Sequence, residues 1–297
     1  MWLGRIIKHL IHLLIAAAVF LFAKTYAGII SFNSLEISGV NLVELLLIIA
    51  FVIQWIAYIP AFIFKTEKFY DLTGSLTYIA TISFALYATN SFQTLQFGNL
   101  IIGAAIIVWA LRLGSFLFSR IAKDGEDKRF RTIKTSFSQF FMTWTLQGLW
   151  VFMCSSAALV AISSQNGVPI NYVFFIGLTI FLWGFYFEVI ADNQKTLFRS
   201  DAANADSFIT SGLWAKSRHP NYFGEITLWI GITVMSISTF VGWNFLALLS
   251  PIFTYVLLNY VSGVRMLEAR GQKKWGHIED YQTYQKETPK LIPRIFK

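Results

Sequence analysis

Eight stretches of roughly twenty predominantly apolar residues run through this chain, at about 9–28, 42–64, 70–89, 98–118, 140–162, 170–191, 223–241 and 244–263. Each is long enough to cross about 30 Å of hydrocarbon as a helix. A bilayer admits only structures that satisfy their own backbone hydrogen bonds, and continuous apolar runs of this length belong to helices. The expected fold is therefore all-α: a polytopic helical membrane protein with about eight transmembrane helices. Composition agrees, since 13% of the 297 residues are charged and 56% are hydrophobic. Soluble domains carry about 25% charged residues. A disordered chain, a disulfide scaffold and an ordinary cytosolic enzyme are excluded. The single cysteine, Cys154, sits in an apolar run, which rules out an intrachain disulfide and any cysteine-based metal site; no metal is expected.

The basic residues set the expected orientation. With the N-terminus in the cytoplasm, the inside segments are 1–8, 65–69, 119–139, 192–222 and 264–297. They hold 22 of the 24 Lys and Arg, leaving only Lys24 outside and Arg112 within a span. That is the positive-inside pattern, and it places both termini in the cytoplasm. The net charge of +8 thus reads as cytoplasmic loops facing anionic lipid and not as a nucleic-acid surface. The first segment, with Arg5 and Lys8 ahead of a short apolar core, also has the form of a signal peptide.

Ionisable groups inside spans are costly and are functional candidates by default. Glu188 lies near the inner end of the sixth span, and Asp192, Lys195 and Arg199 follow at spacings that put all four on one helical face. The segment GLWAKSRHPNYFGE, Gly212 to Glu225, is the densest motif. Pro220 suits a first helical position, so a helix is expected to start there. Arg218, Tyr222 and Glu225 would share a face, as would Asn221 and Glu225. A helix N-terminus beside Arg218 and His219 favours an anion, and arginine forks suit phosphate. A third cluster, Arg265 with Glu268, stands where the eighth span emerges, and Arg112 adds a charge at the inner end of the fourth. The tail from Asp280 is amphipathic and aromatic enough to fold back on the membrane surface. No GxGxxG after a strand, no Walker loop and no HExxH is present, so any nucleotide is held by the helical membrane fold itself. The polar groups gather at one edge and not at the midplane, which argues against a carrier.

At these residues the chain resembles the steroid 5-alpha-reductase-like membrane reductases, in particular the branch known as DUF1295. The resemblance rests on WALRLGSFLFSR with the GEDKRF loop, ADNQKTLFR, SGLWAKSRHPNYFGE, and SGVRMLEAR followed by EDYQTYQKETPKLIP. It divides the chain into N-terminal helices over 1–64 and a reductase-like domain over 65–297, with one helix more than the family's seven. It implies an NADPH pocket on the cytoplasmic side, opening onto a cavity for a lipophilic substrate that enters from the bilayer. The family's cofactor residues would fall on Asp192, Arg199, Asn221, Glu225 and Arg265, with Arg112 and the 119–131 loop, including Arg131, closing over the nucleotide. Glu188, Asn193, Lys195, Arg218, His219, Tyr222 and Glu268 complete the candidate cofactor set. The implied chemistry is hydride transfer to the double bond of an enone, helped by an acid that polarises the carbonyl. For that role the counterparts are Asp71 and Trp109, the latter standing where the steroid reductases have a tyrosine. The bacterial branch implies a bacterial inner membrane. Two other classes stay open. An S-adenosylmethionine-dependent membrane methyltransferase of the isoprenylcysteine or phospholipid type shares an RHPxYxG run, and a non-catalytic lipid-binding protein would need only the cavity.

Overall fold

The computed structural model describes residues 2–92 and 96–294; the last three residues of the amphipathic tail lie outside the described residues. The chain is helical almost throughout. In order, the α-helices are α1 (Trp2–Ile30), α2 (Leu42–Ile63), α3 (Tyr70–Phe92), α4 (Phe97–Asp124), the single turn α5 (Phe130–Ile133), α6 (Phe137–Ser163), α7 (Tyr172–Ser200), α8 (Pro220–Ser236), α9 (Leu249–Val256), α10 (Val264–Trp275) and α11 (Glu279–Glu287). A two-stranded hairpin, Glu36–Ile37 against Val40–Asn41, joins α1 to α2. Ser38 and Gly39 both take positive φ there, as a tight turn of this hand requires.

Among the described residues, six helical segments are long and apolar enough to cross a membrane by length and composition: Leu3–Ile30, Leu42–Ile63, Phe97–Asp124, Phe137–Ser163, Tyr172–Ser200 and Gly242–Trp275. Two further expected spans coincide with α3, which is richer in Thr and Ser, and α8, whose 17 residues extend about 26 Å. Leucines, isoleucines and aromatics are exposed along these helices, Leu14 and Leu21 on α1 and Ile56 and Ile63 on α2 among them. Contiguous exposed apolar surface of this extent is what a lipid-facing bundle presents.

The chain separates into two compact units, Met1–Ile170 with Ser236–Leu248, and Asn171–Met235 with Leu249–Lys297. In the first, α6 is the core helix, and every residue from Val151 to Ser163 is buried. α2 lies against it through Phe51 on Gly148 and through Trp55 Nε1, which donates to Thr145 Oγ1 at 3.1 Å. Tyr58, Phe130, Phe140 and Trp144 form an aromatic cluster at one end of this bundle. Asn244 fixes the turn after α1 by donating to the carbonyls of Ile30 and Phe32, each at 2.7 Å.

The second unit is organised by α7 and α8, whose backbones touch. Gly177 and Gly184 on α7 meet Gly231 and Gly224 on α8, and a Cβ at any of the four would fall on the facing helix's backbone nitrogen. Small residues permit such close approach in membranes. Asn171 caps α7 by accepting from the Phe174 N–H at 3.0 Å, and Pro220 opens α8 as expected.

Two local expectations need correction, and the C-terminal tail gains a defined docking place. The fourth span continues as helix to Asp124 before Gly125 ends it at φ +81°, so the connection to the next span is much shorter than 119–139. The charged residues Arg120, Lys123 and Asp124 end the apolar run but are compatible with helix. The stretch 244–263 is not one continuous α-helix. It runs as a 3₁₀ segment over Gly242–Leu248, then α9, then a π-helical turn over Leu257–Val261, with Ser262 N–H reaching back to Leu257 O at 2.9 Å. Finally, the tail packs on its own unit. Tyr284 donates to Trp214 O at 2.7 Å, and Arg218 N–H donates to Pro289 O at 2.9 Å.

Candidate functional site

The stripe expected on the sixth span exists, because α7 stays helical through Ser200. Glu188 and Asp192 are buried at 2% and 5% exposure, Lys195 is half-buried and Arg199 is exposed. The face thus runs from a dry end to a wet one. Lys195 lies over the Trp214 ring at 4.3 Å, and Trp214 is in turn fixed by its Nε1–H donating to Ala191 O at 3.0 Å. A cation over an indole face is attracted by the ring quadrupole. Asn193 is exposed, about 100° around the axis from Asp192, so the structure does not bring it into this cluster.

The segment before α8 carries the second half of the site. Arg218 precedes the helix by two residues, so it does not share a helical face with Tyr222 and Glu225 as the spacing suggested. It lies on an irregular stretch held from three sides. Ser217, fully buried, donates to Leu291 O at 2.7 Å and accepts from His219 N–H at 3.1 Å, and Arg294 N–H donates to Lys216 O at 3.0 Å. Glu268 on α10 then receives both neighbours, Arg218 Nη1 at 3.0 Å and His219 Nε2 at 2.8 Å. Burial pushes the His219 imidazole below its ordinary value, against the opposing pull of Glu268. The ring is therefore neutral near pH 7, with its proton on Nε2 facing the carboxylate and a lone pair on Nδ1. Tyr222 stacks against His219 with centroids 6.0 Å apart. Asn221 donates from Nδ2 to Asp192 Oδ1 at 3.2 Å, which ties α8 to α7, and Glu225 is buried one turn later. Arg265 is exposed one turn before Glu268 on α10.

Three atoms in this run lack a hydrogen-bond partner among the described residues although they are buried: Arg218 Nε, His219 Nδ1 and Asn221 Oδ1. Buried polar atoms are almost always satisfied, so a run of three beside a helix N-terminus calls for a ligand or for ordered water. The set offers one cationic donor and two acceptors.

The remaining candidates belong to the first unit. Asp71 is half-buried in the first turn of α3 and feels the charges of Arg129 and Arg120. Trp109 is 2% exposed and packs edge-on against Tyr78 at 5.1 Å. Arg112 stacks on Phe116 one turn along α4, at 5.1 Å. Arg131 is exposed and pairs with Glu126, and the hydrogen bond from Arg131 holds the Glu126 carboxyl below its ordinary range. Their connection is pinned to the bundle. Buried Glu67 accepts from Asp127 N–H at 3.0 Å and from Lys134 Nζ at 2.6 Å, while Phe130 lies against Tyr70 at 4.8 Å. Burial opposes ionisation of Asp127, but Arg129 outweighs it and holds that carboxyl below its usual value.

The sequence-level reading missed Trp214, Ser217 and Gln194. The last accepts from Leu213 N–H at 2.9 Å beneath Gly212, whose φ is +62°. The signal was the SGLW stretch, where a glycine before a buried aromatic marks a turn and not a helix continuation.

The family described as "Protein of unknown function (DUF1295)" matches residues 57–288. The chain belongs to the DUF1295 family. That match takes in every candidate residue above and leaves out α1 and the first part of α2. The chain is also similar to two plant proteins named steroid 5-alpha-reductase DET2. It is 32% identical to the one from Gossypium hirsutum over 181 residues, 60% of this chain and 62% of that protein. It is 27% identical to the one from Arabidopsis thaliana over 125 residues, 41% of this chain and 42% of that protein. The chain thus spans less than two thirds of either relative.

Proposed function

We propose that this DUF1295 chain is an NADPH-dependent membrane reductase that transfers a hydride to a carbon–carbon double bond of a lipophilic enone or a sterol- or isoprenoid-like substrate, residues 65–297 forming its reductase domain. The observation that carries the reading is the run Arg218 to Asn221, with one buried donor and two buried acceptors lacking protein partners at the start of α8. A phosphate-bearing dinucleotide complements that set, since phosphate oxygens accept from arginine while ribose hydroxyls and a carboxamide N–H donate to His219 Nδ1 and Asn221 Oδ1. When bound, NADPH supplies the hydride. Glu268 orients Arg218 and His219, and Asp192 orients Asn221. Lys195, Arg199 and Arg265 add positive charge for phosphate, and Glu188, Tyr222 and Glu225 line the same stretch. From the first unit the reading takes Asp71 as the acid that polarises the acceptor carbonyl, Trp109 as a hydrogen-bond donor, and Arg112 and Arg131 as further cofactor residues. The names of the two plant relatives support the reductase class. The distribution of Lys and Arg supports cytoplasmic termini and a cofactor site facing the cytoplasm of a bacterial inner membrane, with the substrate arriving from the bilayer.

Thermal unfolding of the detergent-purified chain with NADPH, NADH or S-adenosylmethionine tests this. A ligand held at 100 times its dissociation constant adds about 2.7 kcal/mol of stability. NADPH is expected to raise the melting temperature, and Arg218→Ala and Arg199→Ala to weaken that rise. Stabilisation by S-adenosylmethionine alone would assign the chain to the methyltransferases. Unchanged nucleotide affinity in Arg218→Ala would sink the site assignment.

A further inference from the structure

Two glutamines in the first unit, one on α2 and one on α6, reach the same face of α3 and leave their carbonyl oxygens unused. Gln54 on α2 is fully buried, and its Nε2 donates to Thr77 Oγ1 at 2.7 Å. Gln147 on α6 is 7% exposed, and its Nε2 donates to Tyr70 O at 3.0 Å. Neither amide can be turned around. Thr77 spends its only hydroxyl proton on Thr73 O at 2.7 Å, so toward Gln54 it only accepts. Tyr70 O is a carbonyl and only accepts. Both orphan atoms, Gln54 Oε1 and Gln147 Oε1, are therefore fixed as acceptors without a partner among the described residues. Trp144 Nε1, on α6 one turn before Gln147, is a buried donor in the same condition.

These groups are gathered along one short piece of α3. Gln147 anchors beside Asp71, and its amide fills the space that Gly74 leaves open, where any Cβ would collide with Nε2. Gln54 anchors one residue from Tyr78, which packs on Trp109. Their anchors at Tyr70, Gly74 and Thr77 thus lie along the stretch of α3 that runs from Asp71 to the Tyr78 contact with Trp109. An unmet polar atom inside an apolar bundle is costly, and several together mark a place where a polar group of something else belongs.

We propose that Gln54, Gln147 and Trp144 form a hydroxyl-recognising subsite for the polar end of a lipophilic ligand, an alcohol or a phenol. A hydroxyl donates to a glutamine oxygen and accepts from the indole N–H. An ether, a ketone or a hydrocarbon end cannot donate. For the reductase proposed above this adds a hydroxyl, separate from the enone carbonyl, to the substrate; it rests on that reading for its catalytic meaning, but the binding it requires does not depend on nucleotide.

Three matched pairs test it on the full chain in detergent: a C20 prenol, a sterol and a long-chain phenol, each beside its own methyl ether. Binding is read from ligand-induced thermal stabilisation over a concentration series. At least one alcohol is expected to bind tenfold or more tightly than its ether, because methylation strands the glutamine oxygens. Gln54→Leu and Gln147→Leu should each bring that ratio towards one while leaving stabilisation by NADPH as in the wild type. Equal binding of every wild-type pair would overturn the proposal, even if neither variant folds. A preference that survives in both leucine variants would also overturn it, and would mean that the oxygens hold a buried water only. Loss of the NADPH response with the alcohol preference intact would instead refute the reductase reading and leave this subsite standing.

Discussion

Glu268 holds two buried neighbours at once, and its removal should be felt throughout the second unit. Arg218 and His219 expose only 14% and 6% of their side chains, Glu268 itself 23%. Truncation to alanine deletes two hydrogen bonds, one of them to a permanent cation, and leaves a guanidinium whose Nε already lacks a partner. Breaking a buried ion pair from one side costs about 3–5 kcal/mol. The partial solvent contact of Glu268 lowers that to about 2–4 kcal/mol. For a protein of this size each kcal/mol shifts the melting temperature by roughly 2–4 °C, so Glu268→Ala should melt about 5–12 °C below wild type. Glu268→Gln keeps the shape and an acceptor for His219 Nε2 but loses the charge, and should fall between the two. The assay is thermal unfolding in one detergent at one scan rate. Combining Glu268→Ala with Arg218→Met should give less than the sum of the single losses, since the stranded charge is gone. A Glu268→Ala melting point within 1 °C of wild type would refute the reasoning.

Further outcomes follow from the same geometry. Because burial lowers the folded-state value of His219, the unfolded chain takes up a proton first as pH falls; the contribution of this neutral ring is fully present above about pH 6.5 and is lost below it. His219→Gln should therefore flatten the slope of melting temperature against pH between about 6.5 and 5, and an unchanged slope would count against it. Gly184→Val or Gly224→Val forces α7 and α8 apart and should cost several kcal/mol, about 3 or more, seen as loss of folded protein on size exclusion. Glu67→Ala removes the acceptor of both Asp127 N–H and Lys134 Nζ, so limited proteolysis should cut the 125–136 connection at least several-fold faster while the helical circular dichroism holds.

The sequence made most of the helices legible, because a bilayer demands long apolar runs and the basic residues mark their inner ends. It also gave the charged stripe on α7 and the start of α8, since both depend on spacing within a few residues. It did not reveal the clamp on Arg218, which comes from backbone groups about seventy positions away and has no local pattern. Gln54 and Gln147 were equally silent, as neutral amides do not interrupt hydropathy the way a charge does. The end of α4 was misplaced for a related reason: an apolar run reports where the membrane stops, not where the helix stops.

The glycine contact between α7 and α8 also limits how oily molecules can move around this protein. Where two backbones touch over one heptad, about two helical turns, at Gly177 with Gly231 and at Gly184 with Gly224, the gap is narrower than a single acyl chain. No lipid tail or detergent can slip between these two helices, so this seam is closed as a lateral doorway from the bilayer. The same seam keeps membrane hydrocarbon from seeping through to the charged residues Glu188, Asp192 and Glu225. Bulky apolar compounds that block the protein from the membrane side will therefore have to work at other helix boundaries, and side-chain variation along α7 and α8 can tune their outer faces without opening a path through the middle.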